Sequence, residues 1–564
     1  MTVPIVCCGR RAALAACAAV GLLFASCGDD AAQGLQRPNF VLITIDTLRA
    51  DHVGCYGYFR DTTPSIDALA RESVVFDAAY AAMATTLPSH ASMLTARYPL
   101  EHGILANIMH GGKPFGWKGG MVSFAQVARD AGYATAGFVS AAPLKAPSGI
   151  GSGFDTWSEP KSDQVERRAG ETMEDVLPWL AKQGEQPFFL WVHFYDPHWP
   201  HRAPAPFDTQ FDSDAPDAQL EQWIAARGIG DSAVRSNGNK TTATRDAINN
   251  YCAEVRYADS QVGVLLDALR KRGLYDESVV ILTADHGEGL NQHDWSAHGL
   301  VWDEQLRVPL MMRFPTEANV APRRVDRLVS LIDMFPTALG RVAPLSTSKE
   351  RDFLALATGV DVLDPTYQER PLFGQRTGRE IAESEDPGEM YAVTTKDWKF
   401  IHEPEVGDQL FDRRADPFEL VNVIDKEPDA ARKIGGLSES MRVQQAKRGA
   451  ELGEAKAGEV DTALQAQLQK LGYAGGDDGR GEARQDERAG SESRPRKKSG
   501  VRKLIEQLGA SEWEQRRDAA LELGKLEAHG DAVLAALETA THDEREEVRV
   551  AAAATLAALR AAVK

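Results

Sequence analysis

The chain has little cysteine, no surplus of positive charge and no apolar run long enough to span a bilayer, and each shortage excludes a class of protein. Of its 564 residues only 6 are Cys, and Cys7, Cys8 and Cys17 fall in an N-terminal segment with the composition of a signal peptide. With Cys27 closing that segment, Cys55 and Cys252 remain, so one bridge is possible but a disulfide framework is excluded. Acidic residues outnumber basic ones 82 to 63, for a formal net charge of −19. A surface of that sign repels polyanions, which excludes nucleic acid as a partner. The apolar stretch from Ala12 to Phe24, preceded by Arg10 and Arg11, is too short to cross a membrane and reads as the h-region of a signal.

That stretch runs into "LLFASCGDD", where Ala25 and Ser26 precede Cys27. This resembles the lipobox of bacterial lipoproteins. The resemblance implies a signal over residues 1–27, lipidation of Cys27, and a mature chain exported to the periplasm or cell envelope and anchored in a membrane. An ordinary cleaved signal with an incidental Cys is the alternative.

What the sequence does hold is a large apolar fraction, 43%, in a chain too long for one domain. From residue 39 to about 343, strand and helix patterns alternate. "NFVLITID", "YATAGFVS", "FFLWVHFYD" and "SVVILTAD" are near-continuous apolar runs, the pattern of strands buried on both faces. Amphipathic segments such as "TPSIDALARESV" and "YADSQVGVLLDALRKRG" lie between them, the first with Thr63 as N-cap and Pro64 at the first helical position. The expected class is α/β: a mostly parallel central sheet with helices on both faces over 38–345, then a smaller α+β subdomain over 346–473. Residues 474–500 hold almost nothing apolar and read as a linker. In 501–564, "QRRDAALELGKL" and "VRVAAAATLAAL" align at a constant offset, pairing Arg516 with Arg549, Leu523 with Leu556 and Leu526 with Leu559. This resembles HEAT-type helical repeats and implies docking on the catalytic domain or on a protein partner.

Three of the apolar runs end in polar clusters: Asp46, Asp196, and "DHGE" from Asp285. Ligands of open α/β sheets bind at the carboxyl ends of strands, so carboxylates and imidazoles delivered there suggest a metal site. Taken together, "NFVLITIDTLRADHVGCYGYFRDTTPSIDALARESVVFDAAYA", "TTLPSHASMLTARYPLEHGI", "ADHGEGLNQHDWSAHGLVWDEQLRVPLMMRFP" and the later "DQLFDRRADPFELVN" resemble the sulfatase branch of the alkaline phosphatase superfamily. The resemblance implies a metal-dependent hydrolase of sulfate or phosphate esters. Asp46, Asp285 and His286 then hold a divalent cation, with the oxygen of Thr86 as a further ligand in the nucleophile position. Thr86 precedes Pro88, so a transferred anion is expected to meet the amides of a helix N-terminus. His90, His198 and His298 are expected to contact substrate oxygens or protonate the leaving group.

The sequence departs from the family at the nucleophile. Sulfatases carry Cys or Ser in C/S-x-P-S-R, oxidised to formylglycine, where this chain has Thr86-Leu87-Pro88-Ser89-His90, so formylglycine is not expected. Thr47 stands for the second Asp of the usual pair, His286 for the common Asn, and His298 for the usual Lys. Imidazole favours zinc or manganese, with calcium as the alternative. Superfamily relatives that cleave phosphodiesters use an unmodified Thr and two zinc ions. A second metal here would draw on Asp196, with His198 or His201, beside His298. Sulfatases also place a His in a similar turn that touches substrate without binding metal, and both readings stand. A catalytically inactive scaffold that binds a protein partner is the remaining alternative, favoured by the changed nucleophile and opposed by the converging ligands.

Overall fold

A computed structural model describes residues 37–107, 118, 120–212, 217–230, 234–236, 240–242, 244–342, 344–376, 389–404, 406–453, 504, 507–508, 510, 513–525 and 531–562. The expected signal with Cys27 and the expected linker over 474–500 lie outside them. The apolar runs form strands β1 (Asn39–Ile45), β2 (Val74–Tyr80), β3 (Ala134–Phe138), β4 (Thr156–Ser158) and β5 (Phe188–Phe194). After a short hairpin of β6 (Val234–Ser236) and β7 (Lys240–Thr242) come β8 (Ser278–Ala284), β9 (Arg307–Arg313) and β10 (Arg323–Ser330). Eight of these form one sheet in the order β10-β2-β9-β8-β1-β5-β3-β4. Only β9 among them runs antiparallel to its neighbours.

Every residue of β1, β5 and β8 is buried, which is why these strands read as unbroken apolar runs. Each buried Leu, Ile, Val or Phe there contributes about 1.5–3 kcal/mol, so the strands that carry the polar clusters are the most firmly held. Helix Pro64–Arg71 follows Thr63 as expected, but the Thr63 hydroxyl bonds Asp67 and the Gly54 amide instead of capping the helix. The second amphipathic segment belongs to a longer helix, Thr244–Lys271. Cys55 and Cys252 are both free, Cys252 being buried with its sulfur 3.0 Å from the Tyr58 hydroxyl, so the possible bridge is not formed.

A second sheet of β11 (Leu372–Arg376), β12 (Met390–Thr394), β13 (Trp398–Glu403) and β14 (Gly407–Asp412) is covered by helix Pro428–Glu451 through Ile434. The C-terminal helices Trp513–Lys525, Asp531–Ala540 and Glu546–Ala562 form a compact unit around Leu523, Leu537, Val548 and Leu556. Leu523 and Leu556, one offset apart in sequence, share that core. Arg516 pairs with the Asp543 carboxylate at 2.8 Å while Arg549 donates to the Asp543 carbonyl, also at 2.8 Å. Leu526, the third paired position, lies outside the described residues. No described helix is long and apolar enough to cross a membrane.

Candidate active site

β1 and β8 are neighbours in register, with Ile45 opposite Ala284, so the next residue of each, Asp46 and Asp285, emerges side by side at the carboxyl edge. Both are fully buried. The amides of Thr47 and His286 donate to Asp285 Oδ1 at 3.2 and 2.8 Å, and Thr47 takes a positive φ of 55° to reach it. Asp285 Oδ2 and both carboxylate oxygens of Asp46 remain buried without a hydrogen-bond partner. Burial drives both carboxyls well above their ordinary range, helped at Asp46 by the charge of Glu166 and at Asp285 by that of Asp46.

His286 completes the group. Its Nδ1 donates to the Gly287 carbonyl at 3.0 Å, so the lone pair is on Nε2, 3.8 Å from Asp46 Oδ1 and 3.4 Å from Asp285 Oδ2. Burial holds this imidazole neutral. Three carboxylate oxygens and one lone pair, all acceptors without a hydrogen-bond partner, need a cation between them. Ligand atoms about 2.1 Å from a tetrahedral ion lie roughly 3.4 Å apart, so the spacing fits a divalent metal.

Helix Thr86–Thr95 opens at this edge, two residues before Pro88, with Thr85 in the capping position. Thr86 Oγ1 is buried, has no hydrogen bond of full geometry, and lies close enough to Asp46 to oppose the upward shift of that carboxyl. Ser89 Oγ donates to the Asp285 carbonyl at 2.6 Å and ties the helix to the end of β8. The expected amide cradle is narrower than the sequence implies, because the Leu87 amide donates to Asn107 Oδ1 at 2.9 Å and Pro88 has none.

The histidines divide. His198 and His298 face each other, Nε2 to Nε2, at 3.2 Å. Each donates its Nδ1 proton to a carbonyl, His198 to Trp199 at 2.7 Å and His298 to Ala84 at 2.9 Å. Two lone pairs therefore meet, and only a shared proton or another positive centre reconciles them. The His298 ring lies 4.4 Å from that of His286, beside the acidic group. His90 is engaged at both ring nitrogens. Its Nδ1 donates to the Thr86 carbonyl at 2.8 Å and its Nε2 meets Thr44 Oγ1 at 3.1 Å, under the helix.

The expected second metal set, Asp196 with His201 and His298, is not among the three-ligand groups of the described residues. Asp196 Oδ2 instead accepts the Ala169 amide at 2.7 Å, at the start of helix Ala169–Ala181. His201 Nδ1 donates to the Pro197 carbonyl at 2.9 Å and lies 3.6 Å from Glu254 Oε2. The Asp196 contact is to the start of that helix and the His201 contact to its own turn.

Sequence reasoning missed four nearby groups: His193, Glu166, Glu254 and Glu288. His193, inside β5 opposite Thr44, lies with Nε2 3.5 Å from Asp46 Oδ2. Glu166, Asp196 and Glu254 raise one another, on top of burial, to about 7, 7 and 8. Glu288 is pushed up to about 8, chiefly by burial. A strand histidine among Trp191, Val192 and Phe194 was the one signal available. Arg49, His102 and His293 are each engaged by neighbouring groups. Arg49 donates to the Glu288 and Gly289 carbonyls and to Gln292. His102 bonds Ser92 at 2.9 Å, and His293 joins Glu304 and the Glu419 carbonyl.

An α/β sheet that delivers acceptors for a divalent cation beside a helix-opening hydroxyl defines a class: metal-dependent hydrolases working at the carboxyl edge of a parallel sheet. The profile described as Sulfatase matches residues 38–343, and the chain belongs to the sulfatase family, whose members hydrolyse esters. A second profile, described as N-sulphoglucosamine sulphohydrolase, C-terminal, matches residues 291–447. The chain is 25% identical to an arylsulfatase of Clostridium perfringens over 69% of its own length and 91% of that protein. It is 23% identical, at the same coverage, to the multifunctional alkaline phosphatase superfamily protein PehA of Trinickia caryophylli. In fold it is similar to the phosphonate monoester hydrolase of Agrobacterium radiobacter, with a TM-score of 0.57, 24% identity, and coverage of 72% and 96% of the two chains.

Proposed function

We propose that the protein is a metal-dependent hydrolase in which the unmodified Thr86 attacks the ester directly, and that phosphate esters and diesters are cleaved faster than sulfate esters. The observation that carries this reading is the buried Thr86 hydroxyl, unpartnered and aimed at Asp46 at the head of a helix. Asp46, Asp285 and His286 would hold the cation, and the imidazole among them favours zinc or manganese over calcium. When bound, such a cation stabilises the deprotonated Thr86 oxygen and the charge on the ester oxygens. The Thr86 oxygen bonds to phosphorus as the ester's alcohol oxygen departs. The His198–His298 pair, both rings held neutral by burial, takes the proton that Thr86 gives up and passes it to that departing oxygen. Water then displaces Thr86 from the covalent ester, giving up its proton to the same pair.

A threonine ester of phosphate hydrolyses by attack at phosphorus, whereas a sulfated threonine lacks the geminal hydroxyl by which a formylglycine hydrate expels sulfate. Sulfate ester hydrolysis is the second reading, favoured by the family match and by the arylsulfatase relative. The name of the relative PehA, a multifunctional superfamily protein, supports breadth in the phosphorus or sulfur centre attacked. The test compares kcat/KM on matched aryl phosphate, aryl phosphodiester and aryl sulfate, alongside Thr86→Ala. The expected result is preference for phosphate and a loss of kcat of about 10³-fold or more in the variant, with phosphorylated Thr86 trapped in the wild type. Preference for sulfate, or full activity in Thr86→Ala, overturns the proposal.

A further inference from the structure

His193 is fully buried at the end of β5, where the sheet brings it against Asp46. Together with His90 and Asp285 it has the spacing of a metal-binding group, so on proximity alone it is a candidate ligand. Its hydrogen bonds say otherwise. The Ser140 amide donates to His193 Nδ1 at 3.2 Å. That amide is held in place because Ser140 Oγ bonds the His193 carbonyl at 2.5 Å and Thr172 Oγ1 at 2.7 Å, while the Ser140 carbonyl accepts the Arg167 amide at 3.0 Å. A neutral imidazole has one proton, and a ring that accepts at Nδ1 carries it on Nε2. Nε2 has no hydrogen-bond partner and points at Asp46 Oδ2, 3.5 Å away, itself unpartnered. Oδ1, the other oxygen of Asp46, faces His286.

We propose that His193 is a positioning residue that donates from Nε2 to Asp46 Oδ2, turning Oδ1 toward the cation, and that it does not itself bind the metal. The contact is slightly longer than a full hydrogen bond, and with neither atom otherwise engaged a small shift completes it. The Ser140 amide keeps the acceptor at Nδ1 and so the single proton at Nε2. The contrast with His286 is one of tautomer: His286 donates from Nδ1 and offers a lone pair, whereas His193 accepts at Nδ1 and offers a proton. The inference rests on the cation site proposed above but not on the chemistry of Thr86.

Two substitutions separate the roles. In His193→Asn the side-chain oxygen can still accept from Ser140, but nothing reaches Asp46. In His193→Gln an amide N–H can occupy the Nε2 position. The full-length variants are loaded with zinc and their affinities measured by chelator competition. His193→Asn is expected to bind about 10–100-fold more weakly than wild type and His193→Gln to recover most of that loss, as for other groups that orient metal ligands. Pulsed EPR of the manganese-loaded wild type is expected to report one coordinated imidazole, that of His286. Equal loss in the two variants, no loss in His193→Asn, or a second coordinated imidazole overturns the proposal. Asp285→Ala is the control: metal retained there removes the cation site itself, while metal lost there with unchanged His193→Asn removes only the role of His193.

Discussion

Asp46 and Asp285 have opposite demands with and without a cation. Alone, two buried carboxylates at one edge repel each other and take up protons, and Glu166, Asp196 and Glu254, the last from helix Thr244–Lys271, add to the same imbalance. A group whose pKa is raised on folding stabilises the fold below its unfolded pKa and loses that contribution as pH rises through the folded value. For Glu254 the window runs from 4.5 to about 8. Metal-free protein is therefore expected to lose melting temperature as pH rises from about 4.5 to 8, and Glu254→Gln to flatten part of that slope. The gain in the variant at pH 8 is on the order of a few kcal/mol. Gln keeps the acceptor that meets the Arg202 amide, now 2.7 Å from Glu254 Oε1, so the comparison isolates the charge. Calorimetry of chelated wild type and variant across that range checks it, and parallel slopes would refute it.

At the scale of elements, the site depends on how β8 turns into the loop that follows it. The Gly287 amide donates to the Gln305 carbonyl at 2.8 Å, which presses the chain against the segment before β9. A Cβ at Gly287 would stand 2.1 Å from the Glu304 carbonyl oxygen, which is backbone and cannot turn aside. Gly287→Ala is expected to cost about 3 kcal/mol and to lose metal by moving His286 and Asp285 together. Denaturant unfolding and metal analysis test both halves, and wild-type affinity with wild-type stability would show that the loop yields. The elements themselves were largely legible: the four apolar runs are β1, β3, β5 and β8, because strands covered on both faces leave a continuous signal. The start of helix Thr244–Lys271 was not legible, since its first turns carry many polar residues among the apolar ones.

For the whole molecule, two expectations concern segments beyond the catalytic sheet. The C-terminal helices have a hydrophobic core of their own, centred on Leu523, Leu537 and Leu556. Ending the chain at residue 500 is expected to leave zinc affinity and kcat on an aryl phosphate within about twofold of the full chain, because separate cores contribute nearly additively. A larger loss would assign those helices a role in the catalytic unit. The "LLFASC" segment carries the second expectation: Cys27→Ser should shift the exported protein from the membrane fraction to the soluble one. Unchanged fractionation would exclude the anchor.

By itself the sequence determined the class of fold and put Asp46 and Asp285 at the ends of strands, since apolar runs end where buried strands end and polar residues mark their edges. Only the tertiary structure decided how the histidines divide. His193 sits in an apolar run and reads as core, and its meaning depends on β5 lying next to β1 with Thr44 opposite. His90 bonds the Thr86 carbonyl and Thr44, and His201 bonds the Pro197 carbonyl, contacts that spacing in the sequence does not show. The physical reason is common to all three: strand order, register and the hydrogen bond at one ring nitrogen settle what the other nitrogen can do, and none of these is written in local sequence.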